Sequence, residues 1–407
     1  MKRIYLFLLF IVTIYAQGIV AQDTTSFLDR AEQYIRIQRF AAAHKVYQDA
    51  IQTIGFQPIV ICPMVENVLK HHFWQQDFSI FYLADSITNQ HQINPANLNH
   101  IEIVSFYFPD RVLKKAIERY PQYAMTYKLL GDYYRLKIEL KSNSENREEE
   151  KSATLQEKVF NLYYKATQLG FSSTEVNRWL GQYYFDHHQY KVAKQFLLNN
   201  DINPNPDAIS FLYLSKIFYQ EKQYSQAYNY ALKALQNQNQ LSLYSLYQAT
   251  HLAAQSLYNL GEESRFLDYI LSCIQLFPDN PEAYLDLFTY YEETEKIDRI
   301  KDFIRQLLMN NPYDEASFKY LEKFCVKYHE YEFGISLFED MMVQYEYSDE
   351  AMGNIYRFRG NLMFHQGDTE QAKKFWDVSR SYFIRYLPED HPKLKQIGDI
   401  SQESTRK

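Results

Sequence analysis

The sequence predicts an all-α protein built as a stack of antiparallel helix pairs, and three observations predict it. Residues of one steric type recur at an interval of 34, and apolar residues inside each interval fall at helical spacing on either side of a short turn. Chain breakers are scarce, with 11 Gly and 12 Pro against 37 Tyr and 28 Phe in 407 residues, as packed helices with short turns require.

The interval is shared by unlike residues. Val159, Ala193 and Ala227 are 34 apart, as are Tyr163, Leu197 and Ala231; Tyr190 and Tyr224, Leu180 and Leu214, Tyr184 and Phe218, and Pro278 and Pro312 keep the same offset. Small, aromatic and proline positions answer different steric demands, so a common period reflects architecture rather than composition. Between 211 and 234 the unit is clearest: Phe211, Leu214, Ser215 and Phe218 line one helix, Gln223 and Tyr224 mark a turn, and Ala227, Ala231 and Ala234 line the next. Small residues belong where two helix axes come closest, and rings fill the gaps beside them. One hairpin of this kind cannot bury its own apolar face and must stack on its neighbours.

Taken from the N-terminus, Lys2 and Arg3, the apolar run Ile4 to Ile14 and the stretch ending Ile19, Val20 and Ala21 have the layout of a signal peptide over 1–21, with cleavage expected after Ala21. A membrane span needs roughly 20 apolar residues in a row, whereas this run is interrupted by Thr13 and closed by Gln17 and Gly18. An uncleaved signal anchor is the alternative. No second span follows, so the mature chain is expected to be exported, periplasmic or secreted, with no integral membrane segment.

Units then follow at 24–57, 124–173, 174–207, 208–246, 247–280, 281–314, 315–350 and 353–386. Two weaker units are expected in the gap from 62 to 123. The first has Gln76, Asp77 and Phe78 at its turn; the second has a first helix interrupted by Pro109 and closes on Pro121. The array, about 8–10 repeats, would span 22–390. The run Lys141 to Lys151, rich in Glu, Ser and Asn, predicts an inserted solvated loop at about 141–153, and 391–407 reads as a polar tail.

Several residues carry a family likeness: Phe27, Ala31 and Tyr34 leading into Phe40, Ala43, Tyr47 and Ala50; Leu130, Gly131 and Tyr134; Tyr284, Leu287, Tyr291 and Pro312; and Gly360, Gly367, Ala372 and Trp376. In this order they resemble the tetratricopeptide repeat (TPR) family over most of the mature chain. The resemblance implies a right-handed superhelical solenoid of antiparallel helix pairs that binds a peptide in a concave groove lined by the first helix of each unit. The groove positions it implies are Lys128, Asp132 and Arg135, then Arg178, Trp179, Gln182 and Phe185, then Tyr213, Lys216 and Tyr219, and finally His251, Gln255 and Tyr258. Such a mixture of rings, amides and charges suits an extended peptide. The best-known clamp of the family, for a terminal carboxylate, is matched only in part. Lys128 and Arg178 stand at its places, but Asp132 and Gln182 replace Asn, and the next unit offers Leu212 and Tyr213.

Catalytic constellations are not found. Asp186, His187 and His188 spell a triplet known from metal-dependent phosphoesterases, yet fall on a turn with no further ligand set at metal spacing. His71 and His72 are adjacent on an expected helix, where neighbours diverge by about 100°, and read as surface residues. His329 and Glu330 lack the second histidine of a zinc-protease helix, and no glycine-rich phosphate loop is present. Cys62, Cys273 and Cys325, odd in number and amid apolar neighbours, read as buried fillers. The net charge of −7, with bases scattered among acids, argues against nucleic acid. In the next units the groove positions turn from Asp286, Glu292 and Glu293 to Lys319, Lys323 and Lys327, rows that could pair with each other. The sequence therefore predicts an exported, non-catalytic scaffold with a protein or peptide partner, no cofactor and no metal. A sensor module acting with a separate membrane protein is the alternative, and the aromatic faces leave self-association open.

Overall fold

The computed structural model describes residues 24–74, 81–85, 104–142, 149–202 and 205–403. The expected signal segment 1–21 and the Gln76–Phe78 turn lie outside them. The chain forms two compact units that divide at residues 203–204. Among the described residues, no helix is long and apolar enough to cross a membrane.

The first unit opens with the hairpin α1 (residues 24–36) and α2 (Phe40–Ile54), followed by α3 (Pro58–His71). There the periodic expectation fails. In place of two weak repeats the gap holds a three-stranded antiparallel sheet, β1 (Phe73–Trp74), β2 (Phe81–Ala84) and β3 (Val104–Tyr107), and then α4 (Pro109–Arg119). Phe81 pairs with Tyr107 and Ala84 with Val104. These are aromatic-rich runs that suit a pleated surface. Pro109, expected to interrupt a helix, instead starts α4, because an N–H is not needed in the first turn. Asp85, just past β2, is fully buried and accepts from the Ala41 N–H at 2.9 Å, so the sheet caps α2 from a distance of 44 residues.

The unit continues with α5 (Ala124–Ser142) and α6 (Glu149–Gln168), then α7 (Thr174–Asp186) and α8 (Tyr190–Asp201). The loop expected at about 141–153 is shorter than that, since α5 runs through Ser142 and α6 starts at Glu149; Glu and Lys are good helix formers despite their charge.

The second unit contains five hairpins: α9 (Ala208–Gln220) with α10 (Tyr224–Gln236), α11 (Leu243–Asn259) with α12 (Glu263–Leu276), α13 (Pro281–Glu293) with α14 (Ile297–Asn310), α15 (Glu315–Tyr328) with α16 (Tyr331–Gln344), and α17 (Asp349–His365) with α18 (Thr369–Phe383). A last helix, α19 (Pro392–Glu403), replaces the expected polar tail. Its Leu394 and Ile397 are buried against Ala372, Trp376 and Phe383, two apolar residues a turn apart that were hidden among charges.

One turn is used repeatedly inside the hairpins. A residue in the left-handed region, Gln38, His188, Lys222, Gly261, Glu295, His329 or Gly367, follows the first helix with φ between 55° and 90°. The next N–H reaches back to the carbonyl five residues earlier. Arg39 bonds Tyr34, Gln189 bonds Tyr184, Gln223 bonds Phe218, Glu262 bonds Leu257, Lys296 bonds Tyr291, Glu330 bonds Cys325 and Asp368 bonds Met363, at 2.8 to 3.0 Å. Each bond satisfies an orphan carbonyl of the ending helix and aims the chain into the second. The first helices of these repeats start on side-chain caps, with Ser173, Asp207, Ser242, Asn280, Asp314 and Ser348 each accepting from a first-turn N–H.

The 34-residue register is visible in the packing. Val159, Ala193 and Ala227 are fully buried, as are Tyr163, Leu197 and Ala231, and Leu180 and Leu214. Residue sizes trade off across the two helices of a pair. A Cβ on Gly131 would fall 2.5 Å from the Tyr163 ring, and one on Gly181 2.5 Å from Leu197 Cγ. One repeat later Ser215 stands where Gly181 does, Ala231 stands where Leu197 does, and the Ser215 hydroxyl donates to the Ala227 carbonyl at 2.8 Å.

Two stability changes follow. Gly181→Ser should lower stability by about 1–3 kcal/mol through overpacking, and adding Leu197→Ala should restore part of it, which denaturant titration would read as a non-additive cycle. Lys222→Gly should raise stability by about 0.5–1 kcal/mol, because a left-handed φ strains any side chain; the same change at the neighbouring Gln223, whose φ is negative, should give no gain in the same melt.

Candidate functional site

The first helices carry the groove positions, and the structure gathers most of them around two clefts, one in each unit. In the first unit a cleft of about 380 Å³ is lined by Arg135, Ile138 and Glu139 of α5, Gln156 of α6, and Glu175, Arg178, Trp179, Gln182, Tyr183, Asp186 and His187 of α7. The half-buried Trp179 ring stands edge-on to Tyr163 at 5.4 Å and stacks on Tyr183 at 5.4 Å. Phe160 and His187 stack on that same tyrosine at 4.4 Å and 4.2 Å. Helical spacing places these rings, since Trp179, Tyr183 and His187 are each four apart.

The charged groups of this cleft hold one another. Lys128 Nζ lies 2.6 Å from Asp132 and 4.0 Å from Glu175, and Arg135 lies 2.5 Å from Glu175 and 3.6 Å from Glu139. The Tyr163 hydroxyl donates to Asp132 at 2.7 Å. Burial lifts the Asp132 carboxyl above its usual range, although Lys128 and Tyr163 pull the other way. Burial acts on Glu175 too, but there Arg135, aided by Lys128 and Arg178, outweighs it and holds the carboxyl below the usual range. Glu175 is thus the link between α5 and α7, and the groove positions alone did not point to it. The signal available was Lys128 and Arg135, seven apart on one face, with an acid in the first turn of the next first helix.

In the second unit a smaller cleft of about 140 Å³ is lined by Tyr219, Gln255, Tyr258, Asn259, Phe266, Asp286 and Thr289. Asp286 is its organiser, with His251 at 2.8 Å and the Gln255 amide donating at 2.9 Å. Tyr258 donates to Glu293. Tyr213 and Lys216 lie outside this lining. The Lys216 ammonium sits 4.9 Å from the Tyr213 ring and bonds Gln248 at 3.0 Å, joining α9 to α11. Phe185 leaves the first cleft as well and packs its ring 5.3 Å from Tyr190 at the start of α8. Further along, Lys327 pairs with Glu292 across α15 and α13 at 3.0 Å, while Lys319 pairs with Glu315 of its own helix at 2.9 Å.

The residues weighed for chemistry take structural places. Asp186 ends α7, His187 follows it with Nδ1 2.7 Å from the Tyr183 carbonyl, and His188 occupies the left-handed turn. His71 and His72 correct the expectation of surface residues. His71 stacks on Phe40 at 3.8 Å, and His72 is buried against Phe81 with Nδ1 3.0 Å from the Leu69 carbonyl, because the sheet covers the end of α3. Cys62, Cys273 and Cys325 are buried free thiols, each pushed up to about 12 by burial. Among the described residues no group of His, Cys, Asp and Glu is arranged to hold a metal ion.

The described residues form antiparallel helix hairpins whose first helices carry the groove positions. No protein-family model matches the sequence, and no curated protein matches it either. Solved structures similar to it are repeat proteins. One is YrrB, a TPR protein described as having an unusual peptide-binding site, with 15% identity, 58% of this chain and 95% of that chain covered, and a TM-score of 0.37. Another is the C-terminal part of a TPR repeat-containing protein from Cytophaga hutchinsonii, with 12% identity, 60% and 94% covered, and a TM-score of 0.39. A third is a tetratricopeptide repeat protein from Parabacteroides merdae, with 10% identity, 94% and 99% covered, and a TM-score of 0.33.

The depressed Glu175 carboxyl fixes the sign of a pH effect. Its folded-state pKa lies below the unfolded value, so the stability it contributes is present above about pH 4.3 and is lost as pH falls through the folded pKa. Glu175→Gln should therefore cost stability at pH 6, by no more than about 1 kcal/mol for so exposed a pair, and the gap to the parent should close in melts at pH 3.

Proposed function

We propose that this chain is an exported, non-catalytic scaffold that holds an extended peptide or protein segment on the first-helix face of its repeats. The observation that carries this reading is the α5–α7 cleft, where the stacked rings of Trp179 and Tyr183 form one wall and Arg135, Arg178, Gln156 and Gln182 surround it. Rigid rings give a ligand side chain area to lie on with few rotamers to freeze, and amides and guanidinium groups beside them suit backbone carbonyls. The charges of the lining are met by charges of the next helix, as a surface that presents a shape needs and a proton-transfer site does not. Export rests on the layout of residues 1–21.

The test is capture of partners from an envelope extract by the mature chain, compared with a variant carrying Arg178→Ala and Trp179→Ala whose helicity is checked by circular dichroism. A folded variant should lose at least one partner that the parent retains. Retention of every partner would remove the cleft from the binding surface. Intact mass of the exported protein tests the leader separately, with loss of residues 1–21 expected.

A further inference from the structure

The junction of α15, α17 and α19 gathers more positive than negative charge around a buried arginine. Arg357 of α17 is only 6% exposed. Its Nη2 donates to Gln396 of α19 at 3.3 Å, but Nε and Nη1 have no hydrogen-bond acceptor. Nη1 lies 3.3 Å from Glu315 without the alignment of a hydrogen bond. Two more cations close on the same carboxylate, Lys319 at 2.9 Å and Lys393 of α19 at 4.0 Å, and Lys393 also donates to Asn354 at 3.2 Å. Among the described residues, Glu315 is the only carboxylate within ion-pair distance of the three. Glu350 acts on Lys393 from farther away.

Three cations on one carboxylate is an unbalanced arrangement. A buried guanidinium with unmet donors costs stability unless an acceptor reaches it, and like charges held together raise the cost. The field is felt at Lys393, whose ammonium is pushed down first by burial and then by Arg357 and Lys319, against the pull of Glu315 and Glu350. Glu315 also opens α15, so the positive end of that helix adds to the field. The cluster stays open to solvent on the Lys319 side, where that side chain is 57% exposed.

We infer that this junction is a binding site for an oxyanion, a phosphate or carboxylate group, seated between Lys319, Lys393 and Arg357 beside Glu315. The incoming oxygens take hydrogen bonds from the two ammonium groups and offer the acceptors that Nε and Nη1 of Arg357 lack, and Glu315 is their competitor for the same cations. Because both named anions present oxygens of the same kind, the geometry assigns the chemistry they share. The site is independent of the scaffold reading, since it uses no residue of either cleft.

The experiment titrates the full chain at pH 7 and fixed ionic strength with sodium phosphate and, separately, with sodium acetate, using chloride as the reference and calorimetry as the readout. Saturable binding of at least one oxyanion over chloride is expected. Lys393→Gln should weaken it about tenfold, the size of one charge-assisted contact, and Glu315→Gln should tighten it by about as much by removing the competitor. Tighter phosphate assigns a phosphorylated group, and tighter acetate assigns a peptide carboxylate. The proposal falls if neither anion exceeds chloride, or if Glu315→Gln leaves affinity unchanged or lowers it. The Lys393 and Glu315 side chains are 18% and 29% exposed, and equal helicity of the variants keeps the comparison valid.

Discussion

A single backbone geometry, the left-handed residue between the two helices of a hairpin, underlies the rest of the structure. With φ near +57° at Gln38, His188, Lys222, Glu295 and His329, and a glycine at 261 and 367, the chain reverses within three residues. The N–H that follows then closes on the first helix. Because that closure fixes where the second helix starts, it fixes which residues of the two helices face each other. The exchange of Gly181 with Leu197 for Ser215 with Ala231 is meaningful only inside such a fixed frame. Five of the seven described turns accept the strain of a side chain there, so the closure is set by the packed helices around it more than by the residue itself.

The stacking of one hairpin on the next uses a different chemistry. Second helices bury alanines and large apolar residues, whereas first helices are tied along their outer edges by polar side chains. In the second unit these ties run from Lys216 to Gln248, from His251 to Asp286, from Lys327 to Glu292, and from Asn361 and His365 to Glu322. Each joins residues 32 to 43 apart, one repeat along. Polar groups that a ligand could use are thus also the groups that set the spacing of the repeats.

The repeat was legible in the sequence because its signals are steric and strictly spaced. Val159, Ala193 and Ala227 answer the same close approach, and no alternative fold asks for small residues at that interval. The sheet was not legible. Its strands have two and four residues, too short for alternation to stand out, and the assumption of a continuing period turned Pro109 from a helix start into a defect. The polar tail misled for a similar reason, since Leu394 and Ile397 are only two residues in a charged segment. For the candidate site, position was legible and pairing was not. Trp179 and Gln255 came from the family resemblance and line the two clefts, whereas the partner of Lys128 and Arg135 is Glu175, on the far side of α6 and marked only as an acid in the first turn of the next first helix.

The last helix has a consequence for assembly. Trp376 and Phe383 belong to α18, and the surface they present is of the kind a further hairpin would cover. α19 covers it with 12 residues in place of a whole repeat, and it does so with Leu394 and Ile397 inward and Lys395 outward. A stack of like units carries no internal instruction to stop, because every end resembles every seam. Here one short amphipathic segment covers the apolar face of α18, so that face is not presented to a further hairpin or to a second copy of the array.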